Sequence, residues 1–232
     1  MTKENKIPIH LSIIPDGNRR WAKAKGLLAS EGHRRAGSYE HIKNLFDEVK
    51  KLGIKYLSFW GFSTDNWKRD KKEIEEIFKL VLKAIGEWRK EAFENKIRFR
   101  HFGRKDRLPK NLVDEIEKLE EETKGFENFN VNLCLDYGGR DEIVRAVNKI
   151  LKSGKKEINE GEFMEYLDSA GIPEPDLIVR TSGEQRTSGF MPFQAAYAEL
   201  YFADVHFPDF DACELGKAVE EFAKRKRRFG GN

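Results

Sequence analysis

The sequence predicts an α/β fold: one domain over residues 1–232, with a central, mainly parallel sheet flanked by helices. Three observations predict it. Six apolar runs have strand length, segments with helical apolar spacing separate most of them, and 232 residues are enough to bury a sizeable core.

The first run is HLSII, residues 10–14. Tyr39, Ile42, Leu45, Phe46 and Val49 then recur at steps of three and four, and Gly53 supplies a helix stop. YLSFWGF (56–62) is the second run, followed by a strong helical stripe of Ile74, Ile77, Phe78, Val81, Leu82, Ile85 and Trp88. IRFRHF (97–102) precedes a helix marked by Leu112, Ile116 and Leu119. VNLCL (131–135) precedes one marked by Ile143, Val147, Ile150 and Leu151. The polar KSGKKEINEGEF (152–163) reads as an exposed connection into a short helix, and LIV (177–179) and LYFADVHF (200–207) complete the strands.

Charge is abundant but balanced. Lys and Arg number 43 against 40 Asp and Glu, for a net +3, and the mean hydropathy is −0.69. That excludes a polycation coating nucleic acid through many phosphates. Cys134 and Cys213 lie far apart with no CxxC spacing, which suggests a reducing compartment and no structural zinc. The start of the chain lacks an apolar signal core, and no apolar stretch reaches membrane-spanning length. The expected location is cytoplasmic, with peripheral membrane contact left open.

In open parallel sheets, ligands bind beyond the carboxyl ends of the strands. PDGNRRW, STDNWKR, GRKDR, DYGGRDE and RTSGEQR follow the first five runs, so all five are expected at one edge around a polar, guanidinium-rich site. Asp16 among Arg19 and Arg20 would repel a phosphate unless a divalent cation lay between them, which suggests a metal ligand. A helix N-cap is the alternative. GHRRAG (32–37) resembles a phosphate-cradling turn leading into a helix, although His33 alone reads more readily as a surface or capping histidine than as a ligand. Ser63, Thr64, Asp65 and Asn66 suit either a turn or a site. Arg180 and Arg186 flank serines and glycines that can surround a diphosphate. Glu199 lies among apolar neighbours and needs a metal or an arginine.

PDGNRRWA, GHRRAG, FSTDNWKR, DYGGRDE, RTSGEQR, QAAYAELYF and RRFGG, in this order from about His10 to Gly231, resemble the cis-prenyltransferase family of the undecaprenyl diphosphate synthase type. The resemblance implies a Mg²⁺-dependent enzyme that condenses isopentenyl diphosphate with an allylic prenyl diphosphate into a cis polyprenyl diphosphate, releasing diphosphate. It implies Asp16 as catalytic aspartate and metal ligand and Glu199 as the second metal ligand. Gly17, Asn18, Arg19, Arg20, Trp21 and His33 would hold the allylic diphosphate. Arg180, Arg186, Thr187 and Ser188 would hold that of isopentenyl diphosphate. Ser63, Thr64, Asp65, Asn66, Trp67 and Arg69 match a loop closing over the reacting ends, and Asn66 stands where the family often places the proton acceptor. An amide is a feeble base, so Asn66 is expected to position an oxygen instead.

The resemblance also implies an apolar tunnel for the growing chain, and the helix bearing Phe78, Val81, Leu82 and Ile85, facing Phe59 and Leu133, would wall it. Arg228, Phe229 and Gly230 resemble a segment reaching a second active site across a homodimer. Ala29 in place of an arginine, Asp65 in place of glutamate, and Met191, Pro192 and Phe193 in place of a leucine-tryptophan run depart from the pattern. A noncatalytic accessory subunit would lack Asp16, Arg180, Arg186 and Glu199, and a trans-type synthase would carry DDxxD motifs. Neither description fits. The basic tail AKRKRRFGG alone is a poor basis for nucleic-acid binding.

Overall fold

The computed structural model describes residues 7–228 and 231. Its sheet has six strands: β1 (His10–Ile14), β2 (Tyr56–Ser63), β3 (Ile97–Phe102), β4 (Phe129–Tyr137), β5 (Leu177–Arg180) and β6 (Glu199–Phe202). They lie in the order β3-β4-β2-β1-β5-β6, and every pairing is parallel. The helices are α1 (Asn18–Ala24), α2 (Ala29–Ala36), α3 (Tyr39–Lys51), α4 (Lys71–Glu94), α5 (Lys110–Thr123), α6 (Gly139–Ser153), α7 (Glu160–Met164) and α8 (Ala212–Lys224).

Alternation along the strands separates two cores. Leu11, Ile13, Leu57 and Val131 face the larger one, under α3, α4, α5 and α8, whereas Ile14, Cys134, Tyr137 and Ile178 face a smaller one closed by Phe190 and Met191. The register of β2 on β4 shifts between Trp60 and Phe62. That bulge returns Phe62 to the larger core, where it packs on Phe78 and Trp67.

The edge strand β3 is blunted by side chains. The amides of Phe99, His101 and Gly103 donate to Thr123 Oγ1 (3.0 Å), Glu120 Oε1 (2.7 Å) and Asp168 Oδ2 (2.9 Å). These bonds occupy the groups that would otherwise recruit another strand.

Three expectations are corrected. The last strand ends at Phe202 rather than continuing to Phe207, and Val205 and Phe207 belong to the turn that follows. The fourth helix buries Glu142, Ala146 and Ile150, while Val147 and Leu151 point outward with Val144. Third, α8 forms where no helix was expected, burying Leu215, Ala218, Val219 and Phe222 behind an Asp211 cap that accepts from the Glu214 amide. Among the described residues, no helix is long and apolar enough to cross a membrane.

Candidate active site

The turn after β1 is fixed by its backbone. The Asp16 amide donates to Thr181 Oγ1 (2.8 Å), and its carbonyl accepts from Thr181 Oγ1 (2.8 Å), Ser182 Oγ (3.0 Å) and the Phe207 amide (3.0 Å). His206 Nδ1 lies 2.6 Å from Ser182 Oγ. Gly17 follows at φ 95°, and a Cβ there would lie 1.8 Å from Ser182 Oγ and 2.5 Å from His206 Nδ1. Only glycine fits both the conformation and the space. Asp16 therefore does not cap α1, whose N-cap is Gly17 without a side-chain bond.

The Asp16 carboxylate accepts from Arg180 Nη2 (2.9 Å) and the Gly17 amide (2.6 Å), and Arg20 Nη2 lies 3.1 Å away. Burial alone would raise its pKa, but the hydrogen bonds and charges of Arg180 and Arg20 outweigh this and hold it below the ordinary carboxylate value. Arg180 is 6% exposed. Its Nη1 also binds the Arg186 carbonyl and Ser188 Oγ, both at 2.7 Å. Arg186 itself points outward and pairs with Glu184, which also takes Arg20 Nη1 at 2.6 Å.

A cavity of about 1070 Å³ opens at this turn. Its mouth is lined by Asp16, Gly17, Asn18, Arg19, Arg20, His33, Ser63, Asp65, Asn66, Arg69, Arg180 and Ser188, with Ala29 at the rim. Below the mouth the walls are Phe59, Ile77, Val81, Ile85, Trp88 and Leu133, and farther in Ala92, Ile97, Phe99 and Val131. Ile97 pairs with Phe129 at the amino edge of the sheet. The cavity therefore runs from the carboxyl edge almost across the sheet, polar at one end and apolar along the rest. Phe78 and Leu82, expected on the wall, do not line the cavity: Phe78 is buried against Phe62 and Trp67, and Leu82 packs against the core.

The loop after β2 forms the other lip. Asn66 Oδ1 accepts from the Ser63 amide (3.0 Å) within a capping box, so its carbonyl oxygen is committed to local structure. Glu73 Oε1 joins Arg69 Nη1 and His33 Nε2, each at 3.1 Å, tying this loop to α2. Burial lowers the His33 pKa. Glu73 opposes that shift, and Arg69 and Arg19 add to it.

Several expected site residues stand elsewhere. GHRRAG is no phosphate-cradling turn, because Gly32–Ala36 lies inside α2 and its amides serve the helix. A Cβ on Gly32 would come within 2.0 Å of the Asn18 carbonyl oxygen, so this glycine serves the contact of α2 with α1. Trp67 Nε1 donates to Asp136 Oδ1 (2.7 Å), and Thr64 packs on Gly138; neither lines the cavity. Trp21 and Thr187 also lie off the lining, as does Arg186.

The loops after β3 and β4 bind each other, through Arg107 to Asp136 and Arg104 to Asp141, so three loops rather than five build the mouth. Met191 and Pro192 pack in the second core and against Gly139, and Phe193 packs at a tilt against Phe163. Phe229 and Gly230 lie outside the described residues, and Arg228 is exposed.

Glu199 is not brought to Asp16. It opens β6 in register with Leu177, which pairs with Leu11, whereas Asp16 lies beyond the far end of β1. Its Oε2 accepts from Arg225 Nη1 at 2.8 Å, so an arginine meets its need for a partner. Among the described residues, no group of three or more His, Cys, Asp or Glu is arranged to hold a metal ion. Glu73, Thr181, Ser182 and His206 were not anticipated. Glu73 carried a faint signal in its i,i+4 spacing from Arg69; Thr181 and Ser182 lie within RTSGEQR, but nothing there announced their bonds to the Asp16 backbone, and His206 carried no signal.

The prenyltransferase family model described as undecaprenyl diphosphate synthase matches residues 14–230. An isoprenyl transferase of Fusobacterium nucleatum is 48% identical over 228 residues, 98% of each chain. That of Aquifex aeolicus is 43% identical over 97% of this chain and 96% of its own. The solved lavandulyl diphosphate synthase of Lavandula x intermedia, in complex with dimethylallyl diphosphate, superposes with a TM-score of 0.92 at 32% identity, covering 98% of this chain and 100% of that one. A probable undecaprenyl diphosphate synthase of Campylobacter jejuni gives 0.81, also at 32% identity, covering 96% and 98%.

Proposed function

This chain belongs to the cis-prenyltransferase family of the undecaprenyl diphosphate synthase type, and we propose that it condenses isopentenyl diphosphate with an allylic prenyl diphosphate in cis geometry, releasing diphosphate with Mg²⁺ bound. The observation that carries this reading is the cavity itself, with a guanidinium-lined mouth around Asp16 leading into an apolar tunnel.

Asn18, Arg19, Arg20 and His33 would hold the allylic diphosphate, and Arg180, Ser188 and the outward Arg186 that of isopentenyl diphosphate. One carboxylate at the mouth suits a magnesium ion that takes its other ligands from diphosphate oxygens and water. Asp16 is that carboxylate, with Glu199 too far along the sheet to join it in this chain. When bound, the ion would help neutralise charge on the departing diphosphate. Arg20, held by Asp16 and Glu184, stabilises that charge with little reorganisation as the allylic C–O bond breaks. A carbon–carbon bond to isopentenyl diphosphate forms as the allylic C–O bond breaks, and the proton lost from the elongated intermediate passes to a diphosphate oxygen or to water. Asn66, its carbonyl committed to Ser63, orients an oxygen rather than acting as base.

The testing experiment incubates the protein with Mg²⁺, labelled isopentenyl diphosphate and a set of allylic primers, then extracts the products into butanol. Polyprenyl diphosphates are expected. A folded protein that gives none with any primer would favour the accessory-subunit reading. In the same assay Trp88→Ala should lengthen the product, because the indole narrows the inner tunnel, wedged 4.7 Å from Phe46 and 5.0 Å from Tyr39 between ring centroids. An unchanged product ladder would place the length limit elsewhere.

A homodimer is part of the reading. Val144, Val147 and Leu151 are 58%, 42% and 68% exposed at i, i+3 and i+7 on α6, and a second copy would cover them. Val147→Glu with Leu151→Glu should then sediment as a monomer, while a dimer of unchanged mass would move the interface off α6.

A further inference from the structure

The end of α1 and the connection to α2 expose six consecutive residues, Lys23 to Leu28. Leu28 is 75% exposed and Leu27 46%, and Leu28 is the most exposed large hydrophobic side chain among the described residues. Leu28 is also the N-cap of α2 and makes no cap bond there. Ser, Thr, Asp or Asn would stabilise the helix at that position, so an apolar side chain is kept outside at a cost to stability. Trp21 lies half-buried at the base of the connection, with Lys25 Nζ 4.7 Å above its ring. Between residues 18 and 37 stand Arg19, Arg20, Lys23, Lys25, Arg34 and Arg35 against the single carboxylate of Glu31. This hairpin therefore holds more positive charge than the +3 of the whole chain. Lys23, Gly26 and Leu27 also line the cavity mouth.

We propose that this hairpin is a membrane-docking tip: Leu27 and Leu28 enter the interfacial layer of an anionic bilayer while Lys23 and Lys25 remain among its headgroups. Apolar side chains collared by cations bind such surfaces through burial and charge attraction together. The inference rests on the reading of the product as a polyprenyl diphosphate, an amphiphile that would pass from the tunnel mouth into lipid without crossing water. A second protein with an acidic, apolar surface is the competing occupant. The position of the tip at the opening of a lipid-sized tunnel favours the bilayer.

The test uses the full chain without substrate, sedimented with vesicles of phosphatidylglycerol and phosphatidylcholine or of phosphatidylcholine alone. Binding to the anionic vesicles that weakens with salt is expected. Leu28→Asp, which supplies the missing cap and so preserves α2, should lower the partition at least about tenfold, with turnover in detergent unchanged. Lys25→Glu should weaken it as well. Equal binding of Leu28→Asp and the parent protein overturns the proposal, whether or not Lys25→Glu weakens binding, since charge attraction alone would then suffice. So does indifference to phosphatidylglycerol. Turnover is assayed separately, so vesicle binding without turnover removes only the enzymatic reading, and turnover without vesicle binding removes only the docking tip.

Discussion

Asp16→Ala is expected to lower turnover by on the order of 10³-fold while the fold persists, because it removes the carboxylate held between Arg180 and Arg20, where a metal-bound diphosphate would sit. Circular dichroism and steady-state kinetics on the same sample check both halves. Retention of more than a tenth of the activity would remove Asp16 from the centre of the mechanism. The substitution also deprives the buried Arg180 of its ion-pair partner. A fully buried pair costs about 3–5 kcal/mol to break. Here the loss should be about 1–2 kcal/mol, since the Asp16 side chain is 28% exposed and Arg180 keeps the Arg186 carbonyl and Ser188.

The pH dependence has a definite sign. The folded pKa of Asp16 lies below its ordinary value of 3.8, so the unfolded chain takes up the proton first as pH falls. The stabilisation is fully present above 3.8 and disappears as pH drops through the lowered folded value. The stability gap between the parent protein and Asp16→Ala should be flat at neutral pH and close in acid. A gap that widens in acid would contradict the pairing with Arg180 and Arg20.

Gly32→Ala should do the second largest damage, although helix propensity alone would favour alanine by about 1 kcal/mol. The added methyl would stand 2.0 Å from the Asn18 carbonyl oxygen and 2.7 Å from its carbon. These are backbone atoms that cannot rotate away, so α1 and α2 must part. Overpacking of this kind costs about 1–3 kcal/mol. Parting also displaces Asn18, Arg19 and Arg20 relative to His33, so the KM for the allylic substrate should rise along with the loss of stability. Thermal melts and a substrate titration measure both. A stabilised variant with parent-like kinetics would show that the two helices do not meet as described.

The strand positions and the long helices were legible because a strand or helix buried on one face repeats its apolar residues at a period that local sequence displays. The stripe from Ile74 to Trp88 is such a case. Where two apolar stripes share one helix, periodicity cannot say which is buried. On α6 the core took Ala146 and Ile150 and left Val147 and Leu151 outside. GHRRAG misled for a related reason, since glycine looks the same in sequence whether it frees a backbone for a phosphate or admits a neighbouring helix.

The sequence by itself determined the α/β class, the family and the residue types gathered at the carboxyl ends of β1, β2 and β5, because these are written in runs and motifs a few residues long. Only the tertiary structure decided which of those residues share a site. It put Asp16 and Arg180, 164 positions apart, within 2.9 Å, and carried Glu199 to the other end of the sheet beside Arg225. It also drew Glu73 and His206 into contacts that no motif announced. The physical reason is that parallel strands joined by crossovers set neighbours by register and strand order, and neither is a local property of the chain.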